Sequence, residues 1–311
     1  MKKHARVKVS SCIGSIRADH LAIFRLLARL AACKDTWEGV EGVLLALHPL
    51  FRPSLARMTF IIWQLAKPTT TSPGRPGVAL KVFHRLHMLG LAPDTRCYYT
   101  ALQACLLAKD WRQAWKLNAT QMCMGPRPDA QSFLLLLHAL GLSSRTDMVM
   151  RTLDAIGALP HITFDSVLLR ASLSALAKCG AWRLAETIMR TLVSQMPGLG
   201  HLLPRPRTAP VAGLVQARVQ VTVCGKLRSK ADLYVALFGT VNGASTSKAQ
   251  AGRLVELLNC VLRAYSVARP PQFSRAAALL EQMREARVTY PSSGSVQAVS
   301  DALRAALCRV S

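Results

Sequence analysis

The chain has 311 residues, 51% of them hydrophobic, and carries 40 Lys and Arg against 16 Asp and Glu, a formal charge of +24. That length allows two ordinary domains or one elongated array with a sizeable core. The surplus charge opposes compaction by self-repulsion and calls for a polyanionic partner, nucleic acid first. An aromatic content of 6% argues against a surface covered in stacking rings, and no apolar run reaches the ~18 residues of a membrane span.

The first residues, MKKHARVKVSSCIGSIRADH, hold Lys2, Lys3, Arg6, Lys8 and Arg17, the hydroxyls Ser10, Ser11 and Ser15, and no acid before Asp19. This is the composition of an organelle transit peptide over 1–18, with a basic tail that touches nucleic acid as the alternative. Helical periodicity dominates the rest of the chain. AACKDTWEGVEGVLLAL (31–47) reads as a helix pair around Trp37, and MTFIIWQLA (58–66) as a buried helix. AKPTTTSPGRPG (66–77) reads as a Pro/Gly/Thr loop.

Over 90–140 the pattern becomes regular. Gly-x-x-Pro-Asp at Gly90, Pro93 and Asp94 returns at Gly125, Pro128 and Asp129, each copy followed four residues on by an aromatic, Tyr98 or Phe133. Tyr98, Leu102, Cys105 and Leu106 share one helical face. Lys109 and Asp110 mark a turn, with Asp110 as N-cap and Gln113 in the reciprocal capping position. Ala114, Leu117 and Gln121 line a second helix. Gly125 is expected to end it in the left-handed conformation that glycine adopts cheaply; Pro128 blocks continuation. Asp94 and Asp129 then read as N-caps of the next helices, with base contact as the alternative.

Other units echo this one. Trp111-Arg112-Gln113-Ala114 recurs as Trp182-Arg183-Leu184-Ala185, and Gly157 and Pro160 repeat the Gly-x-x-Pro spacing, with Phe164 following. FLLLLHALGL (133–142) suits a buried helix. MPGLGHLLPRPRTAPVAG (196–213) reads as a linker or insertion, VQARVQVTVCGK (215–226) is the one place a strand could hide, and GTVNGASTSKAQAG (239–252) reads as a loop. RLVELLNCVLRAYSVARPPQFSRAAALLEQM again has the helix–turn–helix pattern. The domain division is therefore helical repeats over 19–195, a basic linker or insertion with one helix over 196–252, and C-terminal helical hairpins over 253–311. Self-similarity at this interval predicts an all-α fold, a right-handed α-solenoid of helix-turn-helix repeats with irregular insertions. Tyr98, Phe133 and Phe164 are expected in the core, and Trp37, Trp111 and Trp182 between helices with the indole at the rim.

These residues resemble the pentatricopeptide repeat family, whose 35-residue units end in Gly-x-x-Pro-Asp. Residues 95–129 match best, with Tyr98, Ala114, Leu117, Gly125, Pro128 and Asp129 at the family's positions; tetratricopeptide repeats, with a shorter period and no Pro-Asp ending, rank second. The resemblance implies RNA binding in mitochondria, in the matrix, with plastids as the lesser choice, and one base read per repeat by a few side chains. The base-reading positions it implies are Tyr99 with Asp129, and Leu134 in the next unit, with Arg96 beside the base. Leu134 offers no hydrogen bond to a base edge, and Arg96 and Tyr99 depart from the family's usual choices. The expected contact is accordingly with the RNA backbone.

The charge pattern points the same way. No acid lies between Glu186 and Asp232, a window that holds Arg190, Arg205, Arg207, Arg218, Lys226, Arg228 and Lys230. Another acid-free window, from Glu41 to Asp94, holds Arg52, Arg57, Lys67, Arg75, Lys81 and Arg85. Clustered cations without carboxylates suit phosphate neutralisation, which positions RNA without reading it. The expected partners are ribosomal RNA first, messenger or guide-type RNA second, and other ribonucleoprotein subunits, with no membrane.

Catalytic motifs are missing. There is no H-E-x-x-H, G-x-S-x-G or G-x-x-x-x-G-K-[ST], and Cys224-Gly225-Lys226 imitates a phosphate loop only in part. His84 and His87 stand three apart but have no acid or thiol beside them, so they read as surface histidines. Cys12, Cys33, Cys97, Cys105, Cys123, Cys179, Cys224, Cys260 and Cys308 form no C-x-x-C and read as thiols in a reducing compartment. The expectation is a non-enzyme with no cofactor and no metal.

Overall fold

The computed structural model describes residues 25–33, 35–47, 54–68, 74–194 and 247–285, with Ile23 and Leu203. The proposed transit peptide, the strand candidate at 215–226, and most of the 196–252 region lie outside them. Every secondary-structure element among the described residues is a helix, with no strand among them. A helical stretch over 25–32 precedes α1 (Trp37–Leu47), α2 (Leu55–Ala66), α3 (Pro76–His84), a 3-10 turn (Leu86–Leu89), α4 (Thr95–Leu107) and α5 (Trp111–Met124). Then come α6 (Ala130–Leu142), α7 (Thr146–Ala158), α8 (Ser166–Lys178), α9 (Trp182–Ser194), α10 (Ser247–Val267) and α11 (Phe273–Glu285). No described helix is long and apolar enough to cross a membrane. The chain divides into two compact units, 1–136 and 137–311.

Within the first unit, α2 and α4 pack on each other and both pack on α3, while α4 also packs on α5 and α1 on α3. The sequence dictates the layering. On α2, Met58, Ile61, Ile62, Leu65 and Ala66 form the buried stripe, and α4 buries Cys97, Tyr98, Ala101, Leu102 and Cys105. Tyr98 meets Phe83 of α3 edge-on at 5.2 Å between ring centroids. In the second unit, α8 lies most closely against α10, and α9 packs on both. α10 begins at Ser247, inside the loop predicted over 239–252, because SKAQAGRLVELLNCVLRAYSV keeps helical periodicity from its first polar turn.

Helix starts and stops follow the sequence closely. Asp94 Oδ1 accepts from the Cys97 N–H at 2.8 Å, Asp129 Oδ1 from Ser132 N–H at 2.8 Å, and Asp165 Oδ1 from Leu168 N–H at 2.8 Å. Each carboxylate thus satisfies an orphan amide of its helix's first turn. The turn between paired helices also recurs. Lys109, Ser144 and Gly180 all have positive φ (56°, 55° and 68°), and the next residue's amide reaches back to Cys105, Leu140 and Leu176 respectively. This is the Schellman ending, at intervals of 35 and 36 residues.

Two local expectations are corrected. Gly125 is extended (φ −99°, ψ −173°), not left-handed. A Cβ there would come to 3.0 Å from the Gln121 Cα and the Tyr98 ring, so a side chain would have to displace them. Gly90, its counterpart in the earlier copy, does take the left-handed conformation, at φ 68°. Gln113 gives its backbone N–H to Asp110 at 3.0 Å, but its side chain leaves the cap for His84 Nε2, at 2.9 Å. In the next unit Phe164 stands just before the Asp165 cap, and the buried Leu169, four residues after that cap, takes the place of Tyr98 and Phe133. Tyr98, Phe133 and Phe164 are all buried, as expected.

Candidate nucleic-acid interface

Among the residues singled out from the sequence, Arg96 is exposed and Tyr99 half-buried, both on α4. Asp129 is exposed, with Oδ1 engaged by the Ser132 backbone and hydroxyl. Leu134 is half-buried on α6. Arg205, Arg207, Arg218, Lys226, Arg228 and Lys230 lie outside the described residues.

Arg190 is tied to a buried cluster. Glu186 is 4% exposed and accepts from Tyr265 Oη at 2.8 Å and from Arg275 Nη1 at 2.9 Å to each carboxylate oxygen, while Arg190 pairs with it one turn along α9. Arg275 also lies over the Trp182 ring at 4.8 Å. Burial, and then the Glu186 charge, push the Tyr265 hydroxyl well above its ordinary value, so it remains a donor.

The acid-free window from 42 to 93 is not free of partners in space. Arg75 Nη1 donates to the carbonyls of Leu30, Ala31 and Cys33 at 3.1, 2.6 and 2.7 Å, closing the end of the 25–32 helical stretch. Lys81 pairs with Asp35, and Arg85 with Glu41 at 3.1 Å. Acids upstream in the chain fold back onto these cations, which spacing along the sequence does not reveal.

What the window leaves outward is a stripe on α2. Ala56, Phe60 and Lys67 are exposed and Trp63 half-buried, at the spacing of one helical face. Phe60 and Trp63 have ring centroids 6.2 Å apart, tilted at 40°, and Lys67 Nζ lies 4.8 Å from the Trp63 centroid. The Cys97 thiol on α4 meets the Thr59 hydroxyl on α2, inside the packed faces of the two helices. Sequence reading missed Phe60 and Trp63 because MTFIIWQLA is apolar almost all round. The available signal was the Lys67 that ends the stripe at 56, 60, 63 and 67.

Trp37, Trp111 and Trp182 each open a helix, with an arginine on the ring. Arg85 lies 5.0 Å from the Trp37 centroid, Arg112 5.5 Å from Trp111, and Arg183 5.3 Å from Trp182. Trp37 sits beside an open cleft of about 260 Å³ lined by Glu41, Leu44, Leu45, Arg85, Met88 and Leu89. His84 ends α3 between Trp37, Phe83 and Gln113, and burial followed by the Arg85 charge lowers its pKa. His87 is exposed in the 3-10 turn. Among the described residues no His, Cys, Asp or Glu cluster could hold a metal ion. Neither a scan against protein-family models nor a search of curated proteins finds a match to this chain.

Proposed function

We propose that the chain is an RNA-binding helical-repeat protein, a right-handed α-solenoid of the kind its sequence resembles. Its place is an organellar ribonucleoprotein of the mitochondrial matrix, specifically the mitochondrial ribosome, where basic surfaces lie along folded ribosomal RNA. It is not an enzyme. The observation that carries this reading is the return of one cap and one turn at 35- and 36-residue intervals in a chain of charge +24. Stacked units of that kind expose a long surface, and cations on it bind a polyanion by releasing condensed counterions. The side-by-side packing of α2 with α4, and of α8 with α10, supports the solenoid reading within each unit.

Crosslinking of RNA to the protein in cells, followed by sequencing, tests the proposal. Ribosomal RNA is the expected product; a single messenger or guide-type RNA would instead favour a free processing or stability factor. With purified protein, affinity for a structured RNA should fall steeply as salt rises, and a salt-independent affinity would contradict the reading. A protein-binding scaffold is the second reading, favoured by the cleft beside Trp37, whose rim includes exposed Leu45 and Met88. Partners that survive complete nuclease digestion, with no RNA attached, would support it.

A further inference from the structure

Acids are scarce in this chain, yet Asp35, Glu38 and Glu41 fall close together, and no Lys or Arg stands between Lys34 and Arg52. Two of these acids turn onto α3. Asp35 pairs with Lys81, whose ammonium also donates to the Asp35 carbonyl at 2.6 Å, and Glu41 accepts from Arg85 Nη2 at 3.1 Å. The Asp35 carboxylate lies on the first turn of α3, where a Cβ on Gly77 would meet its Oδ2 at 2.7 Å. Since α3 has no side-chain cap of its own, this borrowed carboxylate supplies the negative charge that a helix N-terminus favours. At the same end, Arg75 holds the carbonyls of Leu30, Ala31 and Cys33. The basic edge of α3 is thus covered by the chain's own N-terminal helices.

The contacts are those of a cover that can leave. The Asp35 carboxylate is half-exposed, and exposed pairs hold weakly and are screened by salt. Arg85 gives Glu41 one nitrogen where a guanidinium can give two, and its buried Nε has no partner among the described residues. A phosphate can take both. Among the numbered helices, α1 meets the rest of its unit chiefly through α3. Leu30 and Val40 are fully buried, which favours the closed form until a competing anion is present. We propose that the helical pieces at 25–33 and 35–47 form a self-inhibitory strap. The Asp35 and Glu41 carboxylates occupy the basic edge of α3, and RNA phosphates displace them to reach Arg75, Lys81 and Arg85. The inference rests on the RNA-binding reading above and adds a closed state to it. A ligand opens the strap only by binding the open form better, and three uncovered cations supply that difference.

The test follows amide hydrogen exchange by mass spectrometry in the full chain, with and without a short RNA hairpin, and measures affinity for that hairpin. Circular dichroism confirms that each variant folds. The hairpin should speed exchange over 25–47 on the order of tenfold and leave α4 unchanged. Gly77→Ala crowds the Asp35 carboxylate off α3 without altering charge or shortening the helix. It should speed exchange over 25–47 in the free protein and tighten hairpin binding by roughly threefold to tenfold. Asp35→Asn should act the same way, whereas Glu38→Gln removes an equal charge from an exposed acid and should change exchange little. Slower exchange over 25–47 on adding RNA would make the strap part of the bound form and overturn the proposal. Equal tightening by Asp35→Asn and Glu38→Gln, with Gly77→Ala at the wild-type value, would reduce the effect to net charge and also overturn it. Failure of every form to bind the hairpin would sink the RNA-binding reading instead, and the exchange of free Gly77→Ala would then decide the strap by itself.

Discussion

Glu186 combines a carboxylate almost removed from water with two guanidinium groups and the Tyr265 hydroxyl, drawn from α9, α10 and α11. Such an ion cluster adds little net stability over an apolar core, but removing its centre leaves buried arginine uncompensated. Glu186→Ala is expected to lower unfolding free energy by about 3 to 5 kcal/mol, measured in denaturant. A loss near 1 kcal/mol, the scale of a solvated pair, would mean that water reaches the cluster. His84 has the opposite chemistry. Its Nε2 faces the Gln113 amide, burial and Arg85 disfavour its charged form, and its folded pKa lies below 6.5. The unfolded imidazole therefore takes up a proton first as pH falls, so this group's contribution is intact above about 6.5 and declines below it. An NMR titration should give His84 a midpoint below 6.5, and a midpoint above that value would refute the neutral ring.

At the scale of elements, the repeat is written into caps and turns. Asp94, Asp129 and Asp165 were legible as helix starts, or would have been with one residue of slippage, because a short acid before a helical face has few other uses. The turns were legible in place but not in conformation. Lys109 and Ser144 adopt the left-handed geometry that Gly180 supplies in the third unit. A residue with a Cβ bears about 1 to 2 kcal/mol there, partly offset by the chain entropy that glycine would lose on folding. Lys109→Gly and Ser144→Gly should each raise stability by roughly 0.5 to 1 kcal/mol, seen as a higher thermal midpoint. A lower midpoint would show that those side chains make contacts worth more than the strain. Gly125 teaches the converse lesson. The sequence marked it as a turn residue, yet a side chain there would be crowded both by the local Gln121 backbone and by the Tyr98 ring, far along the chain.

Across the whole molecule, structure consumes most of the few acids. Asp94, Asp110, Asp129 and Asp165 cap helices, and Asp35, Glu41, Asp147, Glu186, Glu256 and Glu281 are held in ion pairs. The surplus of cations is thus left to whatever binds the surface. The thiols follow the same division between inside and outside. Burial pushes Cys97 and Cys260 up to about 11 and Cys105 up to about 12, whereas Cys123 is exposed. Alkylation at pH 8, read by site-resolved mass spectrometry, should label Cys123 quickly and the other three only on unfolding. Rapid labelling of Cys105 in the folded chain would place α4 outside the core.

The sequence by itself determined that the described chain is helical, where most of its helices begin and turn, and that it carries a large surplus of positive charge, because caps, glycines, prolines and composition act over a few residues. Only the tertiary structure decided which cations stay free and which rings face out. Arg75, Lys81 and Arg85 find their partners more than forty residues upstream, and Phe60 differs from Ile61 only by which side of α2 meets α3 and α4. Such choices depend on which faces meet across long loops, a property that no local pattern encodes.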